Sequence, residues 1–464
     1  MTPSGDPVPL SPQQEWIWES MRFMNPDDAA MTRTNVALAY TIRGPLDTGR
    51  LERALADVLR RHEALRTSLS DLGTAPRTHV QEAEDSPPPL LALVDLSGVP
   101  PEDQDTYCEL VAGAEEHRVF DYVRGPLWRA TLVRRSPTEH VLVLSAAHLV
   151  LDAPSVQLVV RHLAEAYEGI TPPARQEQYR DFVRRAARPP ADADRRLEHW
   201  RRVLSPLPAP LDVRTDYPAA PPPVFLRETT PFRAEADAEA LAGLRGRAGV
   251  TPYLIHVAAY VAALADLCGA RRVVVGSTLT RLELKPDPHT VGHFADLVLL
   301  PIEVRPEHTF GELLEHVRDT TLDAYDNQMP YLRIADAIDP DFTARRPWPA
   351  RALYHVWVRG SVLNADLGPP ERIGDAEVRP FEFTRETCYP IELDGDRYAH
   401  VYGQNVVPTL YVGPTGLEGE MTYNRAAFTP STAQRYVDRH CQNLEHMLKD
   451  PQTRIGEVWH DSGR

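Results

Sequence analysis

The chain has 464 residues, 42% hydrophobic and 25% charged, which is enough for two or three domains and is typical of a folded protein rather than a disordered one. Its formal net charge of -16 argues against a nucleic-acid partner, because phosphate binding is driven by clustered Lys and Arg. Met1 to Leu10 lacks the features of a secretory signal. The longest apolar stretch, Leu254 to Cys268, is too short and too polar to span a membrane. We therefore expect a cytoplasmic protein with no membrane partner.

The first half of the chain has the pattern of a mixed α/β unit. Apolar residues recur at helical spacing over Thr48 to Leu65, which predicts a helix with one buried face. A Pro-rich, acidic segment, Glu82 to Asp105, is predicted to be a connector. Leu127 to Val133 and His140 to Ala147 are predicted strands, and the second is apolar enough to be a central strand buried on both faces.

A strand, a short loop and a helix follow one another directly after this point. His148 comes next after the predicted central strand, and a helical period begins at Pro154. Asp152 occupies a position where a carboxylate stabilises a helix N-terminus. His148 is therefore expected at the mouth of the strand, with Asp152 across a tight turn. An imidazole in that place can accept a proton from an amine or an alcohol near neutral pH.

The second half repeats this order of elements after a segment rich in Pro and Arg, which runs from residue 184 to 223 and is predicted to be a crossing connection. We therefore predict an N-terminal lobe, 1–183, and a C-terminal lobe, 184–464. The predicted elements of the second half are the helices Ala236 to Arg247, Pro252 to Leu267, Phe310 to Ala324 and Pro430 to Leu448, and the strands Arg272 to Ser277, Leu297 to Val304 and Gly416 to Tyr423.

Several common kinds of active site have no counterpart in this sequence. The four cysteines are far apart and never spaced as C-x-x-C, so neither a zinc cluster nor a redox pair is indicated. No G-x-S-x-G, G-x-x-x-x-G-K-[ST], H-E-x-x-H or G-x-G-x-x-G stretch occurs. We expect no bound metal and no bound cofactor. Most of the 17 histidines, including His62, His256 and His293, are expected to be packed or surface residues.

The stretch Ala147 to Ser155 (AHLVLDAPS) resembles the HHxxxDG core motif of the condensation domains of nonribosomal peptide synthetases. These domains belong to an acyltransferase superfamily that includes chloramphenicol acetyltransferase. Five further stretches resemble other motifs of the family, in the family's order: Leu10 to Trp18 (LSPQQEWIW), Arg61 to Leu69 (RHEALRTSL), Tyr179 to Val183 (YRDFV), Val291 to Leu297 (VGHFADL) and Asn327 to Tyr331 (NQMPY).

The resemblance covers nearly the whole chain, and it implies a fold and a set of partners. The implied fold is α/β, with two chloramphenicol-acetyltransferase-like lobes, each an α+β two-layer sandwich, arranged as a V-shaped pseudo-dimer around a central tunnel. The implied substrate is an acyl or aminoacyl thioester delivered on the phosphopantetheine of a carrier protein. The acceptor is a small-molecule or carrier-bound amine or alcohol. The chain looks freestanding, so the carrier is expected to act in trans.

The resemblance also assigns roles to individual residues. The histidine that the family uses in catalysis falls on His148, and the family's first core histidine falls on Ala147. The aspartate of the core motif pairs with an arginine in the family, which implies a buried ion pair between Asp152 and Arg66. Breaking one partner of such a pair is expected to harm folding before chemistry.

This sequence departs from the family pattern at several positions near the site. Ala147 replaces a histidine, Ala153 replaces a glycine and Asp296 replaces an asparagine. Ala153 fits only if the backbone φ there is negative. Ser155 either donates a hydrogen bond near the site or serves as a hydroxyl at the helix start. These departures suggest a specialised substrate or a lost activity.

Two functions stay open at this point. The leading hypothesis is an acyltransferase that forms an amide or an ester without a covalent enzyme intermediate. The alternative is a condensation-like domain without catalysis that recruits a tailoring enzyme or a carrier protein. Heterocyclisation is disfavoured because Ala147 is not the aspartate of that branch, and epimerisation stays open.

Overall fold

We describe a computed structural model of the chain, which covers residues 7–24, 35–70, 72, 76–81, 91–170, 177–206, 211, 213–217, 224–234, 238–280, 287–338, 352–354, 369–381, 383, 388–390, 407–411 and 418–459. The strands are β1 Val8–Pro9, β2 Asn35–Arg43, β3 Thr67–Ser70, β4 Arg77–Val80, β5 Leu91–Asp95, β6 Trp128–Ser136, β7 Glu139–Ala147, β8 Val224–Arg233, β9 Arg272–Thr280, β10 Ala295–Glu303, β11 Ala352–Tyr354, β12 Arg372–Ile373, β13 Ala376–Phe381, β14 Cys388–Pro390, β15 Val407–Tyr411 and β16 Glu418–Asn424. The helices are α1 Pro12–Met24, α2 Thr48–Arg61, α3 Pro101–Glu116, α4 Ala153–Tyr167, α5 Tyr179–Ala186, α6 Ala193–Val203, α7 Ala238–Ala248, α8 Pro252–Cys268, α9 Phe310–Asp326, α10 Tyr331–Ile338, α11 Pro430–Lys449 and α12 Ile455–Val458.

The chain folds into two compact units. The first contains residues 1–189, 281–295 and 360–385, and the second contains 190–280, 296–359 and 386–464. These units differ from the predicted lobes 1–183 and 184–464 in two returning segments. Strand β13 groups with the first unit because it pairs antiparallel with β2 along residues 39–43. The division into lobes at residue 183 stays a prediction.

A six-stranded sheet in the order β12-β13-β2-β7-β6-β5 organises the first unit. Strand β7 lies inside this sheet, between β2 and β6, and it is buried from His140 to Ala147. The prediction of a buried central strand is therefore confirmed. Helix α3 packs on this sheet through Cys108 and Ala112, which lie in one buried cluster with Val141 and Val143. A smaller sheet, β1-β4-β3, completes the strands described in this unit.

The first predicted helix is shorter than the sequence pattern suggested. Helix α2 begins after Asp47, whose side chain accepts a hydrogen bond from the Arg50 N–H at 2.9 Å, and it buries an apolar stripe. It ends at Arg61 because His62 adopts an extended conformation. A short 3-10 helix, Glu63–Arg66, then carries the chain into β3.

Two segments that were predicted to be connections contain regular structure. Strand β5 and the start of α3 lie in the supposed connector Glu82 to Asp105, and α6 lies in the supposed crossing segment. Both corrections have a tertiary cause. Strand β5 forms because it pairs in parallel with β6. Trp200 on α6 is buried and its indole N–H donates to the Asn327 carbonyl at 2.7 Å, so this Arg-rich helix is held by packing that its composition does not reveal.

The second unit contains two sheets, in the orders β10-β9-β11 and β14-β8-β16-β15. Helix α8 is buried on all sides from Leu254 to Asp266, because α9 and α11 pack against it. This burial explains the longest apolar stretch of the sequence. Among the helices of the described ranges, none is long and apolar enough to cross a membrane. The helices and strands predicted for this half are confirmed to within a few residues.

Candidate active site

A tight turn joins the central strand to the helix that follows it. Strand β7 ends at Ala147, and the N–H groups of Val150 and Leu151 both donate to its carbonyl, at 3.0 and 3.3 Å. Helix α4 begins six residues after that strand ends, at Ala153. The predicted order of strand, turn and helix is therefore confirmed. His148 is half-buried in this turn, while Asp152 is 3% exposed.

The turn fixes the tautomer of His148. Its Nδ1 lies 3.0 Å from the carbonyl oxygen of Leu151. Because a carbonyl oxygen only accepts hydrogen bonds, Nδ1 carries the proton and Nε2 keeps its lone pair. Burial lowers the pKa of His148, and the Leu151 carbonyl and the Asp152 carboxylate oppose that shift. The ring is therefore neutral near pH 7, with Nε2 as its basic atom.

Asp152 caps α4 and also holds a distant segment. One carboxylate oxygen accepts from the Ser155 N–H at 2.9 Å, and the other accepts from the Phe294 N–H at 2.9 Å. Burial raises the pKa of Asp152, although these backbone donors and His148 oppose the rise. Both carboxylate oxygens therefore hold backbone segments in place.

The expected ion pair between Asp152 and Arg66 is wrong. Arg66 donates from Nε to the Leu59 carbonyl at 3.1 Å and from Nη1 to the Gln81 carbonyl. The Asp152 oxygens are satisfied by two backbone N–H groups instead. Arg66 therefore stabilises the end of α2 and its link to β4, rather than neutralising the core aspartate.

Residues 291–294 are tied to the N-terminus of α4 by backbone contacts in both directions. The Asp152 N–H donates to the Gly292 carbonyl at 3.1 Å, and the Gly292 N–H donates to Ser155 Oγ at 3.1 Å. Ser155 is buried. The Ser155 hydroxyl, in the first turn of α4, therefore anchors the segment that carries Gly292, while Asp152 caps the helix. A hydrogen bond donated by Ser155 near the site stays a prediction.

Tyr179 contacts the segment of residues 291–294 and also α1's neighbour Ser11. Its hydroxyl donates to the His293 carbonyl at 2.5 Å and lies 3.0 Å from Ser11 Oγ. Its ring lies so close to Gly292 that a Cβ at that position would overlap it. From α1, Gln14 Nε2 donates to the Leu149 carbonyl at 3.0 Å. Four of the recognised sequence stretches thus meet around the His148 turn.

His293 is the neighbour of His148 that sequence reasoning missed. The two rings meet edge to face, with centroids 4.9 Å apart and planes at 85°. His293 is fully buried, and neither of its ring nitrogens hydrogen-bonds to a described residue. Burial and the nearby His148 hold the pKa of His293 well below its ordinary value, against a weaker opposing effect from the Ala295 backbone. The one signal in the sequence was its place inside the VGHFADL stretch.

Three further site candidates are Ala147, Ala153 and Asp296. The two alanines have no polar side chain, and Asp296 lies in the second unit. Ala147 is fully buried at the end of β7, opposite Asn35 on β2. Ala153 is the first residue of α4, where φ is negative, so a glycine is not needed there. Asp296 is almost fully buried and accepts from the N–H groups of Leu297, at 2.8 Å, and Tyr331, at 3.5 Å. These hydrogen bonds give Asp296 a structural role, and its place in the lining of the site stays a prediction.

Within the described residues, no group of three or more His, Cys, Asp or Glu side chains is arranged to hold a metal ion.

The family model of the condensation domain matches residues 5–347. The chain belongs to the condensation domain family. The resemblance drawn from the six sequence stretches is therefore confirmed.

Known relatives of this condensation domain come from peptide synthetases. Phosphinothricin tripeptide synthetase PhsC of Streptomyces viridochromogenes is 30% identical over 350 aligned residues, which cover 71% of this chain and 31% of that protein. The chain therefore spans only a small part of the length of the relatives it matches. They support a place in nonribosomal peptide biosynthesis.

Solved structures match the fold along the whole chain. The X-domain from teicoplanin biosynthesis superimposes with a TM-score of 0.76 at 24% identity, covering 98% of each chain. A complex of the X-domain and OxyB from teicoplanin biosynthesis matches with a TM-score of 0.75 at 23% identity, covering 99% of this chain and 97% of that one. The mixed α/β condensation domain fold is confirmed.

Proposed function

We propose that this condensation domain transfers an acyl, aminoacyl or peptidyl group from a carrier-protein thioester to an amine or an alcohol, with His148 as the base. The observation that carries the proposal is the state of the His148 ring. Its Nδ1 is bound to the Leu151 carbonyl at 3.0 Å, and no described residue hydrogen-bonds to Nε2. The half-buried ring therefore offers one basic nitrogen to a substrate.

The proton balance of the transfer follows from this tautomer. The nucleophile's nitrogen or oxygen bonds to the thioester carbonyl carbon, and its proton moves to Nε2 of His148. The tetrahedral species then expels the pantetheine sulfur, which takes the proton from Nε2 and restores the neutral ring. The thioester supplies the driving force, and no covalent enzyme intermediate forms. The phosphopantetheine belongs to the substrate, which a carrier protein delivers.

Asp152 assists without touching the reacting atoms. Its carboxylate raises the pKa of His148 against the effect of burial. A negative charge beside the ring lowers the free energy of the imidazolium that forms during transfer. The two backbone hydrogen bonds to Asp152 keep the carboxylate in place while His148 gains and loses a proton.

The test is intact-mass detection of acyl-loaded carrier proteins incubated with amines, alcohols and a second loaded carrier. We expect donor unloading with a product of matching mass, and a loss of about 100- to 10,000-fold in rate for His148→Ala. His79→Ala is the matched control, because it removes a half-buried imidazole from β4 in the separate small sheet. Equal rates for the wild type and His148→Ala would reject His148 as the base.

Recruitment of a tailoring enzyme or a carrier protein is the second candidate function. A specific observation favours it: a buried alanine stands at 147, where the family has its first core histidine. The complex of the X-domain and OxyB, a match to this fold, is a precedent for a second protein bound to such a domain. Carrier or tailoring-enzyme binding with no turnover in either the wild type or His148→Ala would support this function over acyl transfer.

A further inference from the structure

His293 occupies a position that is costly for an imidazole. It is fully buried, and both ring nitrogens lack a hydrogen bond to any described residue. A buried polar atom without a partner is destabilising, so each such group in a folded protein calls for an explanation. Among the described residues, the ring that contacts His293 is that of His148, edge to face at 4.9 Å between ring centroids.

The backbone around His293 is held on every side. Its own carbonyl accepts from the Tyr179 hydroxyl at 2.5 Å. The Gly292 N–H donates to Ser155 Oγ, and the Phe294 N–H donates to the Asp152 carboxylate. The backbone that carries the His293 ring is therefore anchored to the same residues that shape the His148 turn. The ring itself is held by its burial, and it restrains the His148 ring that it contacts.

His148 needs a second contact to be held in one orientation. A single hydrogen bond from Nδ1 to the Leu151 carbonyl still permits the ring to swing about that contact. An aromatic ring packed at 85° against it blocks this movement. Orientation matters for a base, because small displacements of a reacting group cost large factors in rate.

We propose that His293 is a positioning residue, which fixes the ring plane of His148 so that Nε2 faces the nucleophile. The kinetic part of this proposal rests on the proposed acyl transfer, while the orientation of His148 does not. His293 acts as a neutral ring, since burial lowers its pKa and a proton on His148 lowers it further. The effect depends on the shape of the ring more than on its nitrogens.

Two substitutions separate ring shape from polarity. His293→Phe keeps an aromatic ring in place and removes the unpaired nitrogens, so we expect kcat within about twofold of the wild type and no loss of thermal stability. His293→Ala removes the ring, so we expect kcat to fall about 10- to 100-fold with KM for the loaded carrier unchanged. A kcat equal to that of the wild type in His293→Ala would overturn the proposal.

His162→Ala serves as the matched control. His162 is also a fully buried imidazole of the first unit, and it packs on His62 rather than on His148. Both alanine variants leave a similar cavity, so both are expected to lose stability. If only His293→Ala loses kcat per folded molecule, positioning is supported. If both lose it equally, the role of His293 is merely structural and the proposal fails.

A substrate-free measurement keeps the two proposals distinguishable. The charged groups acting on His148 in the described structure are Asp152 and, if it were protonated, His293. NMR of nitrogen-labelled histidine follows the tautomer and the pKa of His148. We expect both to be preserved in His293→Phe, and the pKa to move toward its ordinary value in His293→Ala, because water enters. An unchanged spectrum of His148 in His293→Ala overturns the positioning role even if no acyl transfer is ever observed.

Discussion

The Asp152 carboxylate accepts a hydrogen bond from the Phe294 N–H at 2.9 Å, across 142 positions of the chain. The other oxygen of the same carboxylate caps α4 through the Ser155 N–H. One side chain therefore holds together the segment that carries His148 and the segment that carries His293. This contact explains why two sequence stretches so far apart belong to one site.

Replacement of Asp152 is expected to destabilise the fold before it affects chemistry. Asp152→Ala leaves the N–H groups of Ser155 and Phe294 without their acceptor in a buried place, at about 1 to 3 kcal/mol each. Asp152→Asn keeps one oxygen acceptor and is expected to lose roughly half as much. Urea unfolding followed by circular dichroism measures both values. A soluble Asp152→Ala variant with an unchanged melting temperature would contradict this assignment.

Gly292 is expected to tolerate no side chain. A Cβ there would overlap the Tyr179 ring, so Gly292→Ala should lose about 1 to 3 kcal/mol through overpacking. Gly113→Ala is the matched control, because it lies inside α3 with no atom near its Cβ position. That change is expected to stabilise the protein by up to about 1 kcal/mol. Thermal unfolding of both variants provides the comparison, and a Gly292→Ala variant as stable as Gly113→Ala would refute the close approach.

Local patterns of sequence predicted the elements that carry the site, but not the contacts between them. The apolar run that ends at Ala147 and the helical period after Pro154 were sufficient to place β7 and α4, since both depend on neighbours in the chain. The cap at Asp152 followed from the same local order. The bond to Phe294 was beyond such reasoning, because it joins residues that only the folded chain brings together.

The errors have the same origin. The ion pair of Asp152 with Arg66 was implied by resemblance, and it fails because backbone donors occupy the carboxylate. The Arg-rich segment around α6 was predicted to be a connection on composition alone, whereas burial of Trp200 makes it a helix. His293 was expected to be a packed or a surface histidine. It is packed, but its neighbour is His148, which periodicity cannot reveal.

The first unit is expected to lose stability in mild acid through His162. Its pKa is lowered to about 3, mainly by burial and then by Arg61, whereas in the unfolded chain it is about 6.5. The unfolded state therefore binds a proton between these values and the folded state does not, so stability falls as pH drops from about 6.5 toward 3. Melting temperatures from pH 7.5 to 5 should decline less steeply for His162→Gln than for the wild type. His79→Gln, measured alongside, accounts for the loss of an imidazole elsewhere in the unit, and identical slopes for wild type and His162→Gln would count against the assignment.

The pH dependence of acyl transfer is expected to report the protonation of His148. Only the neutral ring accepts a proton, and burial holds the pKa of His148 below 6.5. The value of kcat/KM should therefore be flat from about pH 6.5 to 8 and fall with decreasing pH below that range. An alcohol acceptor, or correction for the unprotonated fraction of an amine, removes the nucleophile's own titration from the profile.

In Asp152→Asn the carboxylate that raises the pKa of His148 is lost, so the fall of kcat/KM on the acidic side, the acidic limb, should move to lower pH. A limb at or above pH 6.5 in the wild type, or a shift to higher pH in Asp152→Asn, would show that His148 is not the group that titrates.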